Sequence, residues 1–405
     1  MTTIPSVFDV DKLVTDSAEP ALVWEAMVAK AVEVRASDIH VLAQQDGSTL
    51  AFRLDGDLRE QGSLSADFTR RLISHVKSIA GADISEHRRP TEGRLKISAV
   101  GRLVDMRIST VPSIHGQDLV VRVFDHEVGL FGLDELGLLQ EQLRLVQDII
   151  SRPHGLVLVS GPTGSGKTTS LYAMLQHLTG GTRKIVTIED PVEYDLTGVS
   201  QTQINTRVGV GFNVMLTALL RQDPDIIMVG EIRDQETAAT AVRAANAGNL
   251  VLATTHATRA SRAIETMLSL SVHPYFLAVA LRGVIAQVLV KRVCTACKTA
   301  LPETADMILD DAIRQRLPAD CKAQLHEGTG CERCYHTGYH GRMGLFEVFA
   351  PDGTIKDLVV ARRPAADIDR AAADSGMLSL EQVAKLAVVT GQTTLNELAD
   401  NIPTL

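Results

Sequence analysis

Aromatic residues are scarce in this sequence: they make up 4% of its 405 residues and include a single tryptophan. Positive charge is not in excess either, with 40 Lys and Arg against 49 Asp and Glu, a net charge of −9. A chain that grips nucleic acid neutralises phosphates and stacks bases, which favours the opposite bias in both respects. Direct nucleic-acid binding is therefore not expected. No apolar run reaches the roughly 18 residues of a membrane-crossing helix, so none is expected. The opening, MTTIPSVFDVDKL, is mixed and carries acids, unlike a secretory signal. Cysteine is limited to five residues. In a cytosolic chain, where thiols stay reduced, that points to metal before disulfides. The apolar share, 45%, is ample for real cores, and the length predicts two or three domains.

The stretch around which the rest is arranged is GLVLVSGPTGSGKTT, residues 155–169. Leu156, Val157, Leu158 and Val159 predict a buried strand, and SLYAMLQHL after Thr169 predicts a helix. Between them lie Gly161, Pro162, Thr163, Gly164, Ser165, Gly166, Lys167, Thr168 and Thr169. Strand, glycine-rich loop and helix come in the order a phosphate cradle needs. The glycines let successive N–H groups turn inward, and the helix start adds positive dipole. Lys167 is placed to reach the β- and γ-phosphates of ATP, and Thr168 to hold Mg²⁺.

Upstream, residues 1–20 read as a tail, and 21–124 as a small α+β domain with a helix from Ala21, another over 65–80, and several strands. Arg88, Arg89, Arg94 and Arg107 stand out there. Composition alone favours solvated surface charge for them over phosphate contact. Residues 125–137 carry three glycines and little periodicity, and read as an interdomain linker.

Downstream, KIVTIEDPVEY is a strand ending in Glu189, Asp190 and Glu193. Strand C-termini of parallel sheets face the ligand crevice, so acids there meet a cation, move a proton, or cap and pair. Ile226–Val229 form a second buried strand with Glu231 just past its end, where a phosphate-loop enzyme keeps an acid for Mg²⁺ or its water. NLVLATTHAT delivers His256 to the same edge. Cys294-x2-Cys297 and Cys331-x2-Cys334 have zinc-knuckle spacing. Four thiolates close a tetrahedral shell and imply a structural Zn²⁺; the interval between the pairs must loop out. Cys321 reads as a spectator, with His326, His336 and His340 as substitute ligands. After Met343 the pattern is helical to the end, with no evident chemistry.

Taken together, SDIH, GPTGSGKTTSLYA, TIEDPVEY, RQDPDIIMVGEIRD, NLVLATTHAT, CxxC…GCxxCxxTGYxGRxG and GQTTLNEL resemble the type II secretion and type IV pilus assembly ATPases, in order from Ala21 to Leu398. The resemblance implies an α/β fold: a RecA-like P-loop core over 138–290, behind the α+β amino domain of 21–124. A tetracysteine zinc segment over 291–343 and a C-terminal helical domain over 344–405 follow. It implies an ATPase that works as a homo-hexameric motor on the cytoplasmic face of the bacterial inner membrane, driving a membrane platform protein. By position, Glu193 is the implied base that activates water, with Glu189 as runner-up. Glu231 is the acid of the second strand, and His256 the histidine-box residue. Arg94 and Arg107 become phosphate contacts, which reverses the reading from composition. The cysteine pairs favour the secretion and pilus-extension branch. Thr217 stands where the family usually has Arg, and the large extra N-terminal domain of many secretion members is not expected, nor docking through it. The competing readings are a nucleotide-binding scaffold that does not hydrolyse, and the ATPase of a competence pilus.

Overall fold

The computed structural model describes residues 7, 8, 10, 18–125, 130–317 and 322–402. Cys321 and part of the expected tail and linker lie outside them. The chain divides into two compact units, one of residues 1–129 with 329–341, the other of 130–328 with 342–405.

The amino unit holds α1 (Pro20–Glu33), β1 (Asp38–Gln44), β2 (Gly47–Leu54), β3 (Asp57–Leu64), α2 (Ala66–Ile79), β4 (Thr91–Ala99), β5 (Arg102–Ser113) and β6 (Gly116–Asp125). The strands form one antiparallel sheet in the order β3-β2-β1-β6-β5-β4. Helix α2 starts at Ser65, whose side chain accepts from the Phe68 N–H, as a good N-cap does. Its apolar stripe, Phe68, Leu72 and Val76, shares a core with Trp24 and Met27 of α1 and with Ile39, Leu50 and Phe52 of the sheet. Val10 is buried in the same core, and the Val7 and Phe8 N–H groups donate to Gln61 Oε1 at 3.0 and 2.8 Å. Strand β5 alternates: Val104, Met106 and Ile108 point inward, while Asp105 and Arg107 lie on the other face.

In the carboxy unit the elements are α3 (Gln140–Ser151), β7 (Gly155–Ser160), α4 (Lys167–Leu178), β8 (Ile185–Glu189), β9 (Ser200–Gln203), α5 (Phe212–Leu219), β10 (Ile226–Val229), α6 (Gln235–Ala247), β11 (Leu250–Thr255), α7 (Ala260–Ser269), α8 (Pro274–Ala280) and β12 (Leu281–Val293). A seven-stranded sheet runs β15-β12-β7-β11-β10-β8-β9, where β15 is Tyr339–Phe349. From β12 through β9 every neighbour is parallel. Such strands are apolar on both sides because helices cover both faces. Accordingly Leu156 and Leu158 of β7 join the cluster of α5, α6, α7 and α8, while Val157 and Val159 join that of α3 and α4. The outermost strand, β9, reads Ser-Gln-Thr-Gln, as suits an edge.

Two features depart from the sequence reading. The chain is not helical directly after Met343: GLFEVF belongs to β15, and the helices α9 (Gly353–Val360), α10 (Ala365–Asp374), α11 (Leu380–Val389) and α12 (Leu395–Asn401) come after it. A run this short, apolar but for Glu347, does not distinguish a buried strand from a helix by period. The interval between the cysteine pairs is not a bare loop either. It contains an antiparallel pair, β13 (Lys298–Thr304) with β14 (Gln324–Gly328), whose Leu325 packs with Leu386, Val388 and Val389 of α11. Glu347 of β15 is 2% exposed and accepts the N–H groups of Ala260 and Leu380, at 2.8 and 3.3 Å. It thereby ties the first turns of α7 and α11 together, where helix dipoles favour a carboxylate. Burial pushes its carboxyl above the usual range.

Phe52 is fully buried and has the aromatic Phe8 stacked on it at 5.9 Å. Phe52→Ala is expected to cost about 3–5 kcal/mol through lost burial and a cavity, read as a lower urea midpoint for the amino unit's unfolding.

Candidate active site

Parallel strands bring their C-termini to one edge, and the carboxy unit's polar residues gather there. From β7 the chain enters the glycine loop. Gly161 has φ of +154°, and a Cβ on it would stand 2.4 Å from the Gln287 carbonyl oxygen and 2.5 Å from Ser165 Oγ. Gly166, at φ +86°, is the left-handed residue from which α4 begins. The loop is held from behind by Gln287 of β12, 1% exposed, whose Nε2 donates to the Ser165 carbonyl at 2.7 Å. Lys167 folds back over the loop, with Nζ donating to the carbonyls of Gly161 and Pro162 at 2.7 and 2.9 Å. Burial lowers its pKa, and the charge of Glu231 opposes that shift.

The strand order brings in a residue that spacing alone does not place. Strand β11 lies between β7 and β10, so His256, just past β11, stands between the phosphate loop and Glu231. His256 Nε2 is 3.3 Å from Glu231 Oε2, and Arg233 Nε is 2.7 Å from Glu231 Oε1. Hydrogen bonds stitch this edge together. Ser160 Oγ donates to the Ala257 carbonyl at 2.6 Å, the Ile232 N–H to the Thr254 carbonyl at 2.9 Å, and the Gly230 N–H to the Ile188 carbonyl at 2.8 Å.

The carboxylates after β8 have different surroundings. Glu189 is 2% exposed. It accepts from Thr187 Oγ1 at 2.6 Å, from Gln201 Nε2 at 3.1 Å and from the hydroxyl of Tyr172. Glu193 is partly exposed, and its N–H donates to Tyr172 Oη at 3.3 Å. Gln201 also donates to the Tyr194 carbonyl at 2.9 Å and accepts the Leu196 N–H at 2.7 Å, so it spans the loop that carries Glu193. Tyr172, Gln201 and Gln287 did not stand out in the sequence. The only signals were a tyrosine at a buried helix position and a lone glutamine inside the apolar run VIAQVLV.

A family model described as "Type II/IV secretion system protein" matches residues 14–400. The chain belongs to this family. It is 41% identical over 98% of its length to the type II secretion system protein HxcR of Pseudomonas aeruginosa, covering 80% of that protein. It is also 41% identical over 85% of its length to the type II secretion system ATPase E of Vibrio cholerae, covering 68% of it. To the type IV pilus assembly ATPase PilB of Thermus thermophilus it is 37% identical over 98% of its length, covering 44% of that protein. The fold is that of the Legionella pneumophila ATPase DotB, with a TM-score of 0.70, 18% identity, and 98% of both chains covered. The pilus retraction motor PilT gives a TM-score of 0.64 at 24% identity, covering 93% of this chain and 96% of that one. The chain is an ATPase of the secretion and pilus-assembly kind.

The sulfur atoms of Cys294, Cys297, Cys331 and Cys334 all lie within 4.8 Å of one another. Cys331 and Cys334 Sγ are 3.7 Å apart, far beyond a disulfide. It is the separation two thiolates take in a tetrahedral zinc shell, about 3.8 Å for Zn–S bonds of about 2.3 Å. The donor set therefore fits zinc. His326 does not belong to this group; its Nδ1 lies 2.9 Å from the Gln324 carbonyl oxygen, and His340 bonds to Arg35 at 2.9 Å.

In the amino unit, Arg94 faces Arg107 across β4 and β5, and Arg107 faces Arg122 across β5 and β6. Directly paired strand residues share a face, and like charges so placed repel unless an anion or acid offsets them. Asp38, buried to 6% exposure of its side chain, meets Arg122 at 3.1 Å and Arg53 at 3.7 Å. The Arg107 guanidinium lies over the Phe124 ring, 5.1 Å from its centre.

A methyl group at Gly161 has no room beside Gln287. Gly161→Ala is expected to weaken binding of a fluorescent ADP analogue at least about tenfold, since 1.4 kcal/mol of strain suffices. Wild-type affinity would mean that the loop relaxes around the methyl.

Proposed function

We propose that this chain is the motor that powers assembly of a type IV pilus or a type II secretion pseudopilus. In this reading it acts as a homo-hexamer, drives an inner-membrane platform protein, and sits peripherally on the cytoplasmic face of that membrane. Among the described residues no helix is long and apolar enough to cross a membrane. The observation that carries the hydrolytic reading is the convergence of the glycine loop, Glu231 and His256 on one sheet edge, with Glu231 and His256 3.3 Å apart.

The roles follow from chemistry. The loop residues 161–169 surround the phosphates of ATP with N–H groups, and Lys167 turns from the carbonyls of its own loop to the β- and γ-phosphates. Thr168 and Glu231 would hold Mg²⁺, which when bound offsets charge on those phosphates. Water attacks the γ-phosphorus as the bond from that phosphorus to the bridging oxygen breaks. ADP leaves with the electron pair, and the water proton passes to the Glu193 carboxylate. Glu193 suits this role better than Glu189, whose carboxylate is buried and already accepts three hydrogen bonds. His256 is placed to register the γ-phosphate through its contact with Glu231. Arg94 and Arg107 offset charge on the transferring phosphoryl group, an effect on the order of 10³–10⁵ in rate. A Zn²⁺ ion on Cys294, Cys297, Cys331 and Cys334 holds together a segment with little core of its own.

Glu193→Gln is expected to bind ATP with wild-type affinity and to lose at least about 100-fold in phosphate release, the usual scale for removing a general base. Undiminished turnover would remove Glu193 from the base role. Cys331→Ser is expected to lower zinc from about one equivalent per chain, measured by elemental analysis, and to lower the melting temperature. Unchanged zinc would exclude the four-thiolate site.

A further inference from the structure

Three polar side chains next to Glu193 have no part in the chemistry above, yet they are joined, and two of them are buried. Tyr172 is 1% exposed and Glu189 2%, and Gln201 is half-buried beside them. A phenol has one proton to give. Tyr172 gives it to Glu189 Oε2, so its oxygen accepts, from the Glu193 N–H at 3.3 Å and from Gln201 Nε2 at 3.4 Å. The direction of the chain is fixed from the other end too. Glu189 carries no proton to donate as a carboxylate, and Thr187 Oγ1 and Gln201 Nε2 donate to its other oxygen at 2.6 and 3.1 Å. Burial, and then the charge of Glu189, push the Tyr172 hydroxyl far above its usual range, so it stays a donor at any working pH. The ring has little freedom, being buried and set edge-on against Tyr194 with centres 6.3 Å apart.

We propose that Glu189 and Tyr172 are positioning residues for Glu193, forming a hydrogen-bond relay that ties the helix behind the phosphate loop to the loop bearing the base. The proposal rests on the base reading of Glu193 given above. Tyr172 lies five residues after Lys167 on the same helix, α4. A helix moves as a rigid body over so short a span, so a displacement of Lys167 is carried to the Tyr172 hydroxyl and on to the Glu193 backbone. The buried carboxylate supplies the restoring force: moving the hydroxyl away strips Glu189 of a donor in a dry setting, which is costly. The relay thereby links how the phosphates sit on the loop to where the base stands. It also accounts for a glutamate at 189 that has no access to water.

The test compares Tyr172→Phe, Glu189→Gln and their double variant with Glu193→Gln in the full-length chain. Steady-state ATP hydrolysis, binding of a non-hydrolysable ATP analogue, and melting temperature are measured. Tyr172→Phe removes only the hydroxyl. Glu189→Gln keeps the shape but presents an N–H₂ group to one of the three donors. Both are expected to lower kcat about 10- to 100-fold, the scale for a small misplacement of a reacting group, with KM and analogue affinity within about twofold of wild type. The double variant is expected to lose no more than the worse single one, as for members of one unit. A wild-type kcat in either single variant, with Glu193→Gln inactive, overturns the relay. So does a loss that appears in analogue affinity, which would make Tyr172 a support of the phosphate loop instead. Active Glu193→Gln sinks the base reading itself and is thereby told apart from failure of the relay. If Tyr172→Phe melts far below wild type, Glu189→Gln carries the same decision.

Discussion

Six strands running the same way leave all their C-termini on one edge, and the chemistry of the carboxy unit follows from that constraint. Each strand there ends where the chain must turn, and polar residues gather at those turns: the glycine loop after β7, Glu193 after β8, Glu231 after β10, His256 after β11. Helices on both faces bury the central strands and make them largely apolar. The site has no other place to form. Its rigidity comes from bonds across the strand ends, among them Ser160 to Ala257 and Ile232 to Thr254.

Several polar side chains buried behind that edge have hydrogen-bond partners that tie separate elements together. Gln287 reaches from β12 to the Ser165 carbonyl and props the glycine loop. Glu347 fastens two helix starts that lie far apart in the chain, at Ala260 and Leu380. Glu189 gathers donors from its own strand, from the edge strand and from α4. In each case a buried side chain trades hydration for fixed partners, so the elements bearing those partners cannot drift independently.

The amino unit solves a different problem with the same means. Its antiparallel sheet buries one face under two helices and leaves the other to charge, where Arg94, Arg107 and Arg122 stand in a row. Asp38 offsets part of that row from a buried position. The cysteine pairs stand outside this logic. Four sulfurs within 4.8 Å form a donor set that fits zinc, in a segment with a small core.

Local order was legible in the sequence, because local order depends on neighbours a few residues away. The glycine loop between an apolar strand and a helix, the cysteine spacing and the strands of the amino domain all read directly, and so did the family, through motifs in order. The short run GLFEVF, apolar but for Glu347, does not fix a period, so the part of β15 after Met343 was expected to be helical, and pairing with β12 decided otherwise. Glu189 and Glu193 are four residues apart in a cluster of acids, and the sequence left both open as the base. Only the tertiary structure shows that their surroundings differ, because burial is set by what the fold lays over a residue: α4 brings Tyr172 and β9 brings Gln201 to Glu189, while the Glu193 N–H reaches the Tyr172 hydroxyl. The same reason hid Gln287 and Tyr172. A polar residue in an apolar run says that a partner exists, and only the folded chain says which one.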